Sequence, residues 1–308
     1  MILTAPEREK YGISYQGSKT KIIDKIARFF PNADHFYDLF GGGFSVTHYM
    51  LENRRKSFKH FHYNEIRPGL CELIKDSIDG KYNYDVFKPE WISRERFMAE
   101  KESNAYIKII WSFANNGKDY LFGEDIENQK RSMHQAVVFD QFDDFMINTF
   151  KLNRWPNKLS IQGKKLYLKR IVNQRIELQQ LERLEQLERL QQLQQLERLE
   201  QPILTNLDYR QVLIEPNSVI YCDIPYQGTA DYGNTFSHRE FFDWAASQQN
   251  PLFISEYNVS DERFYLLKEF KHRTTFAKGG NSPVVEKLYG NKIAYDIIQD
   301  AIAKKGGK

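Results

Sequence analysis

Asp223-Ile224-Pro225-Tyr226 places a carboxylate, a proline-fixed bend and an aromatic ring in consecutive positions. The residues before it, Val219-Ile220-Tyr221-Cys222, form an apolar run that stops at the acid. Such a run followed by a breaker reads as a buried strand reaching its carboxyl edge. Ligands of open α/β sheets bind just beyond that edge. A carboxylate there can accept hydrogen bonds from an exocyclic amine, and Tyr226 offers a flat face to a nucleobase. The combination suits chemistry on an amino group carried by a planar ring. Cys222 lies inside the expected strand and has no preceding proline loop, so it reads as packing and not as a nucleophile.

Three further stretches could hold a ligand. Asp38-Leu39-Phe40-Gly41-Gly42-Gly43-Phe44 joins an expected strand to an expected helix. Its glycines allow a tight turn and close backbone approach. It lacks the Gly-Lys-Ser/Thr ending of a phosphate loop and the Gly-x-Gly-x-x-Gly pattern, which disfavours NAD. Glu65 ends the next expected strand, where an acid commonly binds ribose hydroxyls; the alternative is a surface glutamate. Tyr15-Gln16-Gly17-Ser18-Lys19 precedes the first helix. Lys19 could pair with a carboxylate there, although a lysine at a helix start is usually solvated.

The elements that must position these residues alternate. Ile22, Ile23, Ile26, Phe29 and Phe30 recur at helical spacing before Pro31. His35 to Phe40 reads as a strand, Phe44 to Leu51 as a helix, Phe58 to Tyr63 as a strand and Leu70 to Ile78 as a helix. This predicts a doubly wound, largely parallel α/β sheet. Sheet character returns at Val212, with Val219 to Cys222, Pro251 to Ser255 and Lys292 to Ile298. The expected division is residues 1–84 and 202–308 for the sheet domain and 85–176 for an inserted module. Residues 177–201 are a leucine-rich connection. Leu178, Leu181, Leu184, Leu187, Leu190, Leu193, Leu196 and Leu199 recur every third residue. On an α-helix each step turns about −60°, so the leucines wrap the axis and no single apolar face results. The expectation is an expanded surface connection; a recombination-prone spacer or a partner-binding arm is the alternative.

The chain has 308 residues, a net charge of +3, 22 Phe and 18 Tyr, which fits one large or two modest globular domains. No apolar run approaches the roughly 20 residues of a membrane span, and Met1 to Lys10 has no apolar signal core. Cys71 and Cys222 are the only cysteines and read as reduced cytosolic thiols, so a cytoplasmic location is expected. No Cys/His spacing resembles a zinc site. From Lys151 to Arg175, Lys151, Arg154, Lys158, Lys164, Lys165, Lys169, Arg170 and Arg175 occur with no acid between them, and Trp155 and Tyr167 are interleaved. Such a basic run can be a nucleic-acid footprint or a solvated face. Asn115-Asn116-Gly117-Lys118 is a turn that could offer polar groups to base edges, or be an ordinary surface turn.

Together, Tyr15-x-Gly-Ser-Lys19, Asp38-Leu-Phe-Gly-Gly-Gly43, Asn64-Glu65-Ile66-x-Pro68 and Tyr221-Cys-Asp-Ile-Pro-Tyr226 resemble the D12-class (Dam-like, α-group) DNA adenine-N6 methyltransferases, in composition and in order. The resemblance covers roughly residues 10–75 and 203–295. It implies a Rossmann-like S-adenosylmethionine-dependent methyltransferase sheet with an inserted, mainly helical target-recognition domain that binds double-stranded DNA. It also implies that Tyr15 and Lys19 contact the methionine end of S-adenosylmethionine. Asp38, Phe40, Gly41 and Gly43 would wrap the cofactor, Glu65 would hold its ribose, and Asp223 would face both cofactor and target. Asn115, Asn116, Lys118, Arg154, Lys164, Lys165, Lys169 and Arg170 are the DNA-contact candidates. The family usually has Asp-Pro-Pro-Tyr, where this chain has Ile224; isoleucine keeps the carbonyl but loses the fixed φ. Aspartate is usual at the Glu65 position, and glycine at Ser18.

The expected chemistry needs no metal and no covalent nucleophile. Asp223 and the Ile224 carbonyl would hold the N6 amino group of a flipped-out adenine and stabilise the charge that develops on it. Pro225 would shape the turn, and Tyr226 would stack on the base, worth about 1–3 kcal/mol. The alternatives are an enzyme of the same scaffold acting on RNA adenine or a protein glutamine amide, and a decayed DNA-binding protein.

Overall fold

The computed structural model describes residues 10–150, 155–226, 236–274 and 282–306. The chain divides into two compact units. One comprises residues 1–13, 17–71 and 199–308, the other residues 14–16 and 72–198.

The first unit is built on a seven-stranded sheet: β1 His35–Asp38, β2 His60–Asn64, β3 Ile203–Thr205, β4 Ser218–Asp223, β5 Leu252–Glu256, β6 Tyr265–Thr274 and β7 Ser282–Gly290. The spatial order is β3-β2-β1-β4-β5-β7-β6. The first five strands are mutually parallel, and β7 runs antiparallel to both β5 and β6. Strand order reverses between β1 and β4, so their carboxyl ends form a topological switch point. Asp38 lies opposite Tyr221 in that pairing.

Alternation along the strands sorts the core. Tyr37, Leu39, Ile220, Cys222, Ile224, Leu252, Ile254 and Tyr289 pack on one face with Phe241, Phe242 and Ala245 of helix His238–Ser247. Phe36, Tyr221 and Phe253 lie on the other and contact Phe30 at ring distances of 5.4, 5.6 and 5.0 Å. Asp38 and Asp223 follow the second set, and Ile224 follows the first. The pleat therefore turns the two acids toward the side covered by the N-terminal helical segment.

Several expectations are corrected. Lys292 to Ile298 is not a strand but the start of helix Lys292–Gly306. Ile293, Ala294, Ile297 and Ile298 are spaced for a helix, and the Asn291 side chain accepts from Ala294 N at 3.0 Å. The β6–β7 pair was not foreseen. The segment at residues 20–30 is one α-turn, Ile23–Ile26, continued by the 3₁₀ turn Ala27–Phe29. β1 stops at Asp38, before Leu39 and Phe40. Val212 follows the 3₁₀ turn Tyr209–Gln211 and is not in a strand.

The second unit is mainly helical, with helices Arg94–Glu100, Ala105–Ile110, Glu124–Phe139, Asp144–Phe150, Ile161–Val172 and Glu185–Gln194. Ser93, Asn104 and Ser160 cap three of them by accepting from backbone N–H groups, as short polar side chains do at N-caps. The leucine tract is not a surface connection. Leu178, Leu181, Leu184 and Leu187 are buried in a core with Met133, Val137, Met146 and Leu168, and Leu190, Leu193 and Leu196 are fully buried. The physical reason is that the tract is not one α-helix. Ile176–Leu181 is 3₁₀, where residues three apart eclipse and a three-residue repeat makes a single stripe. The chain then breaks, and Leu187, Leu190 and Leu193 span only about 120° on the short helix that follows.

Candidate active site

Lys19, Asp223, Glu286 and Tyr226 form one cluster at the carboxyl edge of β4, with Lys19 and Glu286 buried and Asp223 and Tyr226 partly buried. The Lys19 ammonium lies 2.5 Å from Asp223 Oδ2 and 3.3 Å from a Glu286 oxygen, and it donates to Gly17 O at 3.1 Å. Tyr226 donates its hydroxyl to Glu286 Oε1 at 2.6 Å. Lys19 Nζ sits 5.1 Å from the centre of the Tyr226 ring, and Tyr257 packs edge-on against that ring at 4.5 Å. Tyr221 and Ser255, on adjacent strands, share a hydroxyl hydrogen bond of 2.7 Å beneath them.

Burial and the neighbouring Glu286 raise the Asp223 carboxyl to about 6, against the opposing pull of Lys19. For Lys19, burial works against the charge, but Asp223 and then Glu286 outweigh it and hold the ammonium above its ordinary range. Two carboxylates and one ammonium thus share a space with little water. Burial is the main origin of the raised Asp223 value, and the carboxylate in excess adds to it.

The glycine turn lies beside this cluster at the end of β1. Gly41 has no room for a Cβ, because the Tyr63 ring would be 2.1 Å from it. Gly42 adopts φ +48°, and Phe44 also lies in the left-handed region at +66°. Tyr63 donates to Gly42 O at 2.7 Å, so the turn is pinned by the neighbouring strand. Asp38 is fully buried. Its Oδ2 accepts from Thr47 Oγ1 at 2.8 Å, whereas its Oδ1 has no hydrogen-bond partner. Burial, with Asp223 and Glu65 nearby, lifts its carboxyl to about 7. Glu65 accepts from Gly42 N at 2.9 Å and from Arg67 N and Nε, each at 2.9 Å.

The Asp223–Tyr226 turn is also held from the opposite face. His238 Nε2 is 2.8 Å from Pro225 O and 3.9 Å from Glu256 Oε2. Glu286, His238, Glu256 and Tyr257 were missed in the sequence. A glutamate within the apolar alternation Val284-Val285-Glu286-Lys287-Leu288-Tyr289 was a usable signal of an inward-facing acid. Ser237-x-x-Glu240, with Ser237 accepting from Glu240 N at 3.3 Å, marked the helix that His238 begins.

The other candidates are distributed differently. Phe40 packs on Tyr209 and Phe241. Tyr15 groups with the second unit, and Lys19 with the first. Lys151 and Arg154 lie outside the described residues. Lys164, Lys165, Lys169 and Arg170 share helix Ile161–Val172, but at about 100° per residue they spread around it and do not form a stripe. Lys164 is buried and donates to Asp140 at 2.7 Å, Lys165 reaches Gln191 at 3.5 Å, and Lys169 pairs with Glu182 at 3.2 Å. Arg170 and Lys118 are exposed. Asn116 Oδ1 accepts from Lys118 N and Asp119 N, so this side chain shapes its own turn. Asn115 has φ +59° and a buried Oδ1 with no partner.

Among the described residues, no group of three or more His, Cys, Asp or Glu side chains is arranged to hold a metal ion. No helix there is long and apolar enough to cross a membrane.

No curated protein matches the chain. A family model for the D12 class N6 adenine-specific DNA methyltransferases matches residues 15–254, a span that includes Asp38, Glu65 and Asp223. With a match over more than half its length and a seven-stranded, mostly parallel sheet, the chain belongs to the D12 class of adenine-specific DNA methyltransferases, enzymes that methylate DNA adenine at N6 with S-adenosylmethionine as methyl donor.

Proposed function

We propose that the chain methylates N6 of an adenine extruded from duplex DNA at the Asp223–Tyr226 turn, and that the second unit contacts the DNA. The observation that carries this reading is the pair of carboxylates at the ends of β1 and β4, Asp38 fully buried and Asp223 partly buried. One of them has an unpartnered oxygen. Ligands of such sheets bind at this switch point.

The residues present fit S-adenosylmethionine. The turn after β1 is held close against Tyr63 by a glycine at 41, Asp38 Oδ1 has no protein donor, and Glu65 can serve hydroxyls once the half-exposed Arg67 withdraws. When bound, the donor supplies an electrophilic methyl carbon on a sulfonium. Asp223 and the Ile224 carbonyl accept the two amino N–H bonds of adenine, which concentrates electron density on a nitrogen otherwise conjugated with the ring. They stabilise the positive charge that develops there. The Tyr226 ring, fixed through its hydroxyl by Glu286, supports the base face. Lys19 balances the Asp223 charge in the free enzyme and must yield when the amine arrives. Arg170 and Lys118 are the exposed cations that best suit phosphate contact.

The test is transfer of labelled methyl from S-adenosylmethionine to unmethylated duplex DNA, with RNA and protein as parallel acceptors. N6-methyladenine in DNA is the expected product. Label confined to RNA or protein, or DNA binding with no transfer, refutes the reading.

A further inference from the structure

We infer that His238 is a positioning residue that holds the Asp223–Tyr226 turn in its working geometry, taking over the constraint that a proline at position 224 would supply. The inference rests on the proposed function and adds to it a residue outside the motif.

A carbonyl that must accept one N–H of the substrate amine has to point in one direction before the substrate arrives, because misdirection by fractions of an ångström is costly. A proline at 224 would contribute by locking φ. This chain has Ile224, whose φ is narrowed by the following proline but not locked by a ring, yet its carbonyl carries half of the expected grip. Two features restore the constraint. The Ile224 side chain is buried in the core that contains Phe241 and Phe242. One residue later, His238 Nε2 lies 2.8 Å from Pro225 O. The Pro225 ring locks its own φ. With that φ locked, anchoring the Pro225 carbonyl leaves ψ of Pro225 as the torsion by which the peptide carrying Ile224 O can turn, and the buried Ile224 side chain opposes that rotation.

His238 is well placed to do this. It is the first residue of helix His238–Ser247, whose start is set by the Ser237 cap. Its ring is confined by Phe236, edge-on at 4.9 Å, and by Phe242 at 6.2 Å. The buried Glu256 carboxylate, 3.9 Å from Nε2, favours a hydrogen on that nitrogen, the one that must donate to Pro225 O. Glu256 is itself oriented by accepting from Tyr257 N at 2.7 Å, and Tyr257 packs on Tyr226. Helix, strand β5 and the catalytic turn are thus linked through one imidazole.

The experiment compares wild type, His238→Ala, His238→Gln, Ile224→Pro and the His238→Ala/Ile224→Pro double variant. Each is assayed with labelled S-adenosylmethionine and duplex DNA, and each is checked by thermal unfolding. His238→Ala is expected to lower kcat by about tenfold with the KM for S-adenosylmethionine within about twofold, the pattern of a lost orienting contact. His238→Gln, whose amide can donate to the same carbonyl, recovers most of the loss. Ile224→Pro changes kcat by a different factor in the two backgrounds, with the more favourable change in His238→Ala, which is the coupling expected of two devices for one constraint. Wild-type kcat in His238→Ala, a glutamine variant no better than alanine, or an equal effect of Ile224→Pro in both backgrounds overturns the inference. If the proline variants fail to fold, the alanine–glutamine comparison decides it alone. An inactive wild type overturns the proposed function and this inference with it, whereas an active wild type indifferent to position 238 removes only the inference.

Discussion

Two lysine–aspartate pairs, one in each unit, have nearly the same contact distance and opposite electrostatics. Lys19 reaches Asp223 at 2.5 Å and Lys164 reaches Asp140 at 2.7 Å, and both ammonium groups are buried. The carboxylates differ. The Asp223 side chain is 19% exposed and lies beside Glu286, and its carboxyl is raised to about 6, first by burial. The Asp140 side chain is 40% exposed. Burial pulls it upward too, but hydrogen bonds from Lys164 and Trp155 and the charges of Lys164 and then Lys88 prevail, and its carboxyl falls below the ordinary range. A lysine partner alone therefore does not decide the state of an aspartate. Water and a second carboxylate do. The perturbed pair is the one at the switch point, where functional acids concentrate; the relaxed pair holds a helix end, with Asp140 at the C-cap of helix Glu124–Phe139 in a left-handed conformation.

Breaking the perturbed pair carries the largest expected effect. Asp223→Asn keeps the shape but loses the charge, and kcat should fall by about 10²–10³ or more, the range for removing one preorganised electrostatic group. Calorimetry should still detect S-adenosylmethionine binding. A variant within tenfold of wild type would falsify the role given to this carboxylate.

The pH profile of kcat/KM sharpens the contrast. The described residues that face Asp223 are Lys19, Glu286, Tyr226, Tyr221, Asp38 and Tyr257. Lys19 stays charged throughout, so the acid limb should report the two raised carboxyls, Asp38 at about 7 and Asp223 at about 6, with the loss steepening as pH falls through 6. A profile flat down to pH 5 contradicts the raised carboxyls.

The smallest effect is expected at Asp140→Asn. Asparagine tolerates the same left-handed backbone, so the change isolates the charge. Stability should drop by about 1–2 kcal/mol, less than for a fully buried pair because Asp140 is partly solvated, while kcat stays within about threefold of wild type. The two pairs should also give opposite pH slopes. Asp223, raised above its ordinary 3.8, contributes stability that is complete below 3.8 and lost as pH climbs to about 6. Asp140, lowered, contributes stability present above 3.8 and lost on further acidification. Comparing wild type with each asparagine variant by denaturant unfolding across pH 3–7 reads both slopes, and slopes of the same sign would dissolve the comparison.

The amino-acid order determined what depends on neighbours along the chain. The strand ending at Asp223, the glycine turn after Asp38, the strand ending at Asn64–Glu65 and helix Leu70–Ile78 were all legible, because apolar periodicity and breakers encode them locally. Folding decided what depends on residues far apart. Glu286 joins Lys19 and Tyr226 only because β7 inserts between β5 and β6. His238 reaches Pro225 only because its helix packs on the face that Ile224 enters. The basic run between residues 151 and 175 was legible as charge, but which of its lysines a carboxylate would engage was not. The leucine repeat was misread because its consequence hinges on backbone pitch: at 3.6 residues per turn it has no face, and in a 3₁₀ turn followed by a short helix it makes a core. Spacing in sequence becomes direction in space only after the fold has fixed the pitch and the partner, since burial energy depends on the facing surface as much as on the residue itself.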